Sequence, residues 1–467
     1  MTSREPDQKR LTKLTALQKD HFRSGATLSP EARESALKRL VGMIDDRGEE
    51  LAEAVGRDLG RCWLESWSAE PGLARADAEL AARELSGWHR TRYHRASPAM
   101  LPGSVRARRR PFGTAVIVGP WNYPAGLVLC PMVSALAAGN TVILKPSERA
   151  PATSAALASC LPRFFDPSEV AVVEGGGDTA SWLTRNAADV VCFTGSTATG
   201  RKVMADAASR PIPAVLELGG ANPCFVAEDA PLRQTARRIA WGRFFGAGQT
   251  CLAPNHVFAA ASIEGELLDE LAAAVEDFYG ADPSQSPDYG RIIDAVAWNR
   301  LSGLLTEGTP VVGGKASADD LYVAPTVMTD VGRDSRLVLE ETFGPVLPVI
   351  PTDSLEEEME RVGRGDSSPL AAYGFSARPR RMERMLASRV RAGSLTVNGT
   401  LHRIVSSSVG FGGVGGSGFG RYRGEEGYRS FSWEQVVLRK SPRLEMPMLY
   451  PPYRVGRKLI RMLARFF

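Results

Sequence analysis

Thr114-Ala115-Val116-Ile117-Val118 and Thr141-Val142-Ile143-Leu144 enclose a helix-length apolar stretch from Ala125 to Ala138, which ends at Gly139. Each flanking run is short, apolar and closed by Gly or Pro, the pattern of strands buried on both faces of a sheet. Glycine just past a helix suits the left-handed cap that ends it. The order strand, helix, strand then repeats: Ala150 to Phe165 reads as a helix, followed by the runs Val170-Ala171-Val172-Val173 and Val190-Val191-Cys192-Phe193. That repetition predicts an α/β fold with a parallel, doubly wound sheet. Sheets of this kind bind ligands at the carboxyl ends of their strands. Three polar motifs fall there: Trp121-Asn122-Tyr123-Pro124, Lys145-Pro146-Ser147-Glu148 and Thr194-Gly195-Ser196-Thr197.

Upstream, residues 29 to 59 read as a helix, with Ser29 as cap, Pro30 in the first turn, and Leu37, Leu40, Val41, Ile44 and Leu51 at helical spacing. Helices are expected up to about Trp88. Downstream, a second α/β stretch runs from about Gly220 to Gly399, with strand-like runs at His256-Val257-Phe258-Ala259 and Leu347-Pro348-Val349-Ile350. The segment from Val409 to Arg423 is Gly-rich, and its two phenylalanines favour a packed loop over a solvated linker.

At 467 residues the chain is long enough for two or three domains, and 43% hydrophobic with 24% charged residues is the balance of an ordinary globular protein. A net charge of +4 is small for that length, so no global field argues for nucleic acid as a partner. The six cysteines include no Cys-x-x-Cys pair, and with only five histidines no metal site is expected. The N-terminus, from Met1 to Asp7, is polar and lacks an apolar signal core, which predicts a cytoplasmic protein with reduced thiols. Cys130, Cys160, Cys192 and Cys224 read as small buried hydrophobes.

Cys251, in Gly248-Gln249-Thr250-Cys251, has a different context because Glu217-Leu218-Gly219-Gly220 precedes it. A thiolate attacks carbonyl carbon well, and a carboxylate held out of full solvation can deprotonate water against the resulting thioester. The thiol itself needs a lowered pKa to ionise at neutral pH, and no histidine lies nearby in sequence to supply it.

Seven motifs together resemble the aldehyde dehydrogenase superfamily, and most closely its class 3 group, which acts on fatty and aromatic aldehydes. In chain order they are Pro120-Trp121-Asn122-Tyr123-Pro124, Lys145-Pro146-Ser147-Glu148, Phe193-Thr194-Gly195-Ser196-Thr197, Glu217-Leu218-Gly219-Gly220, Gly248-Gln249-Thr250-Cys251, Glu341-Thr342-Phe343-Gly344-Pro345 and Phe411-Gly412-Gly413. The resemblance implies a Rossmann-like cofactor domain over 1–91 and 114–218, a catalytic domain over 219–400, and bridging or oligomerisation segments at 92–113 and 401–440. It also implies NAD as cofactor, with NADP as the alternative, and a homodimer.

By the same resemblance Cys251 is the nucleophile, Asn122 the oxyanion donor together with the backbone N–H of Cys251, and Glu217 the base that activates the hydrolytic water. Lys145 and Glu148 match positions that hold the adenosine ribose, and Thr194, Gly195, Ser196 and Gly200 match the turn that meets the pyrophosphate. Glu341 and Phe343 match the contacts to the nicotinamide ribose and ring. The expected reaction is oxidation of an aliphatic or aromatic aldehyde to the acid. An acylating or reductive enzyme of the same fold is one alternative, against which Glu217 speaks. A cofactor-binding, membrane-associated protein without catalysis is another, against which the retention of Asn122, Glu217 and Cys251 together speaks.

Four positions depart from the family pattern: Ala221 where lysine is common, Gly246 where asparagine is frequent, and Asn255-His256 in place of aspartate and tyrosine. Two basic segments stand apart. Arg90, Arg92, Arg95, Arg106, Arg108, Arg109 and Arg110 read as a solvated or subunit-bridging face. In the tail, 441–467, Arg454, Arg457, Lys458, Arg461 and Arg465 alternate with apolar residues, which on a helix gives a basic amphipathic face suited to an anionic membrane or to a partner subunit.

Overall fold

The structure is a computed structural model that describes residues 6–97, 100–365, 368–444, 450–452, 456, 458 and 461. The amphipathic helix expected in the C-terminal tail falls largely outside these residues. The chain begins with four helices: α1 (Gln8–Arg23), α2 (Pro30–Leu59), α3 (Trp63–Ser68) and α4 (Pro71–Trp88). Helix α2 starts and stops where its sequence says. Ser29 accepts a hydrogen bond from the amide of Ala32, Pro30 occupies the first turn, and Gly60, at φ 61°, closes the last one. Its apolar stripe, Leu37, Leu40, Ile44 and Leu51, is fully buried.

Strands β1 (Arg92–His94) and β2 (Gly103–Pro111) then pair antiparallel, and β2 pairs in turn with the late strand Ser432–Lys440. Four of the nine residues of β2 are arginines, Arg106, Arg108, Arg109 and Arg110, and Arg109 lies opposite Glu434.

A six-stranded sheet follows. Its parallel members are β3 (Thr114–Val118), β4 (Thr141–Lys145), β5 (Val170–Val172), β6 (Val190–Gly195) and β7 (Ala214–Leu218), in the spatial order β7-β6-β3-β4-β5. The connecting helices are α5 (Gly126–Ala138), α6 (Pro151–Cys160), α7 (Gly177–Asn186) and α8 (Thr197–Ala208). Strands β3 and β4 are buried along their whole length, as expected of a sheet covered on both faces. Helix α6 stops at Cys160 rather than at Phe165, giving way to a short 3-10 turn, Leu161–Arg163. Pro162 has no amide to continue the helical ladder.

From β3 the chain winds outward through β4 and β5, then returns beside β3 as β6 and β7. The order therefore reverses between β3 and β6, which creates a crevice at their carboxyl ends. The sixth strand comes from the Gly-rich segment: Gly418 and Phe419 pair antiparallel with Glu217 and Leu216. A Cβ on Gly418 would lie 1.9 Å from the Leu216 carbonyl oxygen, so this backbone approaches as only glycine permits. The segment is packed, but unequally. Phe411 is buried against Tyr422, whereas Phe419 is 42% exposed.

The second α/β unit contains β8 (Pro223–Val226), α9 (Leu232–Phe244) and β9 (His256–Ala260). Its seven-stranded sheet runs Thr309–Val312, Thr326–Thr329, Val346–Thr352, β9, β8, Ala371–Phe375, Ser394–Val397, all parallel except the first. Among the described residues, no helix is long and apolar enough to cross a membrane.

Candidate active site

The crevice between β3 and β6 opens into a cavity of about 410 Å³. Asn122 enters it from the loop after β3, Thr194, Gly195 and Ser196 from the end of β6, and Glu217 from β7. Cys251 arrives from the turn after α9, and Glu341 and Phe343 from the loop before the strand Val346–Thr352. Eight residues singled out in the sequence, spread over more than two hundred positions, thus share one cavity. Lys145, Glu148 and Gly200 do not line it.

The turn that ends in Cys251 has an unusual backbone. Gly246, Ala247 and Gly248 all have positive φ, 59°, 53° and 71°, and a Cβ on Gly248 would meet the Gly344 carbonyl oxygen at 2.3 Å. Alanine is strained in that conformation, a cost of order 1–3 kcal/mol that the surroundings must enforce. Side-chain amides supply the enforcement. Gln249 Nε2 donates to the carbonyls of Gly246 and Arg291, and its Oε1 accepts from the Ile293 amide. Asn222 Nδ2 donates to the carbonyls of Cys251 and Ala253, at 2.7 and 3.1 Å, while its Oδ1 accepts from the Ala371 amide. Asn255 ties the turn to the Glu341 loop by donating to the Leu337 and Glu340 carbonyls and accepting from the Thr342 amide. This accounts for asparagine at 255, because it both donates and accepts there, which a carboxylate cannot.

Asn122 is buried, and its Nδ2 donates to the Gln249 carbonyl at 3.0 Å. That bond uses one of the two amide hydrogens and leaves the other available, and Asn122 and Cys251 line the same cavity. The Glu217 carboxyl meets the Cys251 thiol, and its pKa is pushed up to about 8. Burial is the main cause; the hydrogen bond with Cys251 opposes it and the charge of Glu341 adds to it. The thiol is pushed well above its ordinary value by burial, then by Glu217 and Glu341, while its own backbone N–H pulls the other way. A thiol that ionises at neutral pH needs a lowered pKa. The structure gives the opposite, because burial strips the thiolate of its solvation and the charges of Glu217 and Glu341 add to that effect.

Glu341 is partly buried, with its Oε1 fully so, and its pKa is pushed up to about 7 by desolvation, against the pull of the Gly220 amide, Arg243 and Arg300. Gly219 leaves it room: a Cβ there would lie 1.9 Å from Glu341 Oε2. The Phe343 ring meets Trp121 edge to face, at 5.3 Å between centroids.

A dinucleotide fits these residues. Thr194 Oγ1, Glu217 Oε1 and Glu341 Oε1 belong to cavity-lining residues and are buried with no hydrogen-bond partner. Ser196 caps α8 by accepting from the Thr199 amide, and a helix N-terminus favours a phosphate. Gly200 lies behind, where a Cβ would strike Leu218 at 2.4 Å, so it serves close packing of helix on strand. Lys145, buried, pairs with the half-exposed Glu148 at 2.6 Å. Although burial works against it, this lysine helps hold the Glu148 carboxyl below its usual value.

Several lining groups had no signal in the sequence. Arg149 stacks on Trp121 at 4.6 Å and pairs with Asp294, the cap of the helix Ala295–Leu304, across the mouth of the cavity. Arg300, from that helix, donates to the Thr342 carbonyl. Neither stands in a motif, and which face of a helix lines a cleft is set by tertiary packing.

The aldehyde dehydrogenase family model matches residues 2–437. Among curated proteins, aldehyde dehydrogenase family 3 member B1 of Rattus norvegicus is 40% identical over 437 residues, 93% of each chain. The 4,4'-diapolycopene-4,4'-dial dehydrogenase of Cytobacillus firmus is 37% identical over 429 residues, 92% of this chain and 94% of that one. Among solved structures, the substrate-bound state of Staphylococcus aureus AldH superposes with a TM-score of 0.93 at 33% identity, covering 97% of this chain and 99% of the other.

Proposed function

The chain belongs to the aldehyde dehydrogenase family and is an NAD(P)-dependent aldehyde dehydrogenase, and from that premise we propose that it converts an apolar aldehyde to its carboxylic acid through a thioester on Cys251. The observation that carries this reading is the meeting of the Cys251 thiol with the Glu217 carboxyl in a cavity that also holds the Asn122 amide.

In this reading Glu217 takes the thiol proton as sulfur bonds to the carbonyl carbon. The carbonyl oxygen gains the negative charge and accepts a hydrogen bond from Asn122 Nδ2. A donor already aimed at that position typically lowers the barrier by about 3–4 kcal/mol. NAD(P), when bound, supplies the hydride acceptor and a positive charge. Glu341 and Thr194 hold and orient it through oxygens that otherwise lack partners, Phe343 and Trp121 wall the cavity, and Lys145 and Glu148 sit at the end of β4 for the ribose. Once its proton has reached solvent, Glu217 removes another from water as the water oxygen adds to the acyl carbon; the C–S bond then breaks, the sulfur keeps its electron pair and takes the proton back from Glu217, and the acid is released.

Trp121 and Phe343 line the cavity that holds the thiol. Aromatic walls favour an aliphatic or aromatic aldehyde over a charged one. The same reading includes a homodimer through the three-stranded sheet, whose strand Ser432–Lys440 exposes Trp433, Val436 and Leu438. It also includes peripheral membrane contact through the basic tail.

The test is to follow reduced-cofactor absorbance with short, long-chain and aromatic aldehydes, each with NAD and with NADP. Turnover is expected to be greatest with the apolar members. No turnover with any aldehyde, with either cofactor, overturns the reading.

A further inference from the structure

Behind the catalytic cavity lies a buried cluster of charges that the chemistry above does not use. Arg61, just past the end of α2, and Glu70 have no exposed side-chain surface and pair at 3.5 Å. The Arg61 guanidinium lies over the Tyr123 ring at 4.3 Å, and none of its three nitrogens has a hydrogen-bond acceptor. Glu65 is buried beside them. One cation and two carboxylates are costly to bury unless their placement is exact enough to compensate.

Each carboxylate grips a different half of the active site. Glu70 Oε2 accepts from the amides of Ala125 and Gly126, at 2.7 and 2.8 Å, which fixes the entry to α5 three residues after Asn122. Glu65 Oε2 accepts from the Gly246 amide at 3.0 Å, at the start of the turn that ends in Cys251. A third link joins the two halves directly, since the Tyr123 hydroxyl and Thr250 Oγ1 are 2.6 Å apart. Arg61 touches all three. It pairs with Glu70, covers Tyr123, and fills the space where a side chain at 246 would go: a Cβ on Gly246 would lie 2.5 Å from Arg61 Nη2.

We propose that Arg61 is a positioning residue which, through Glu65, Glu70 and Tyr123, sets the separation between the Asn122 amide and the Cys251 thiol. The cluster touches neither substrate nor cofactor. It holds the oxyanion donor and the nucleophile in register, and a misplacement of about 1 Å at such a site costs on the order of a hundredfold in rate. Glycine at 246 is the complement of Arg61, because the arginine occupies the volume a side chain would need.

The inference rests on the roles proposed for Cys251 and Asn122, and wild-type turnover in the same assay tests those roles separately. Two variants test the clamp. Arg61→Met keeps much of the volume and removes the charge; kcat is expected to fall at least tenfold, with affinity for reduced cofactor, read by its fluorescence, within about twofold of wild type. Arg61→Lys, which keeps the charge, is expected to recover most of that loss. Gly246→Asn tests the clamp from the other side. Asparagine tolerates a positive φ, so its expected tenfold or greater loss of kcat reports the collision with Arg61 rather than backbone strain, and it serves alone if Arg61→Met does not fold. An Arg61→Met enzyme with kcat within twofold of wild type, or a parallel loss of kcat and cofactor affinity, overturns the proposal. So does undiminished kcat in Gly246→Asn.

Discussion

Glu217 shows how far a residue's chemistry depends on what surrounds it. Its motif identified it as a carboxylate upstream of a thiol, yet an ordinary glutamate would be ionised throughout the physiological range. Burial raises its pKa to about 8, so in the resting enzyme the group is largely protonated near neutrality. A base works only after losing its proton. Deacylation is therefore expected to rise with pH, approaching tenfold per unit well below 8 and levelling off above it. Measuring kcat at saturating aldehyde and cofactor from about pH 6 to 9.5 checks this, and a wild-type profile flat across that range would count against Glu217. None of this was legible in the sequence, because the raised pKa comes from desolvation and from Glu341, more than a hundred residues away. The same holds for Cys251, whose place in the motif was plain while the direction of its pKa shift was not.

Elements were most legible where local rules dominate. The ends of α2, marked by Ser29, Pro30 and Gly60, and the runs that became β3 and β4 needed no tertiary information. Loops that meet across the cavity were not readable in this way. Gly219, just after β7, faces the loop that carries Glu341, and nothing in either stretch announces that they touch. In Gly219→Ala the new Cβ would fall 1.9 Å from Glu341 Oε2 and push that carboxylate out of place. Affinity for reduced cofactor, titrated by fluorescence, is expected to weaken by roughly tenfold or more, equivalent to about 1.4 kcal/mol. Unchanged affinity would remove Glu341 from the cofactor site. Arg61 illustrates the same limit: a lone arginine after a helix carries no sequence signal, and only the approach of α3, α4 and the nucleophile turn shows what it contacts.

At the scale of the molecule, alternation of strands and helices sufficed to predict a doubly wound sheet with its ligands at the strand ends. The spatial order β7-β6-β3-β4-β5 places the reversal between β3 and β6, and so explains why motifs at 122 and 194 line one cavity while that at 145 stands outside it. The second sheet brings Cys251 and Glu341 to the same place from the opposite side. In the reading proposed above, what the two units build together is a site for making a thioester and then hydrolysing it. The most direct test is intact mass spectrometry of Glu217→Gln mixed with an accepted aldehyde and NAD. The protein is expected to gain the mass of the acyl group and hold it, and the gain is expected to vanish when Cys251→Ala is added. No adduct, together with acid released at the wild-type rate, would contradict the account.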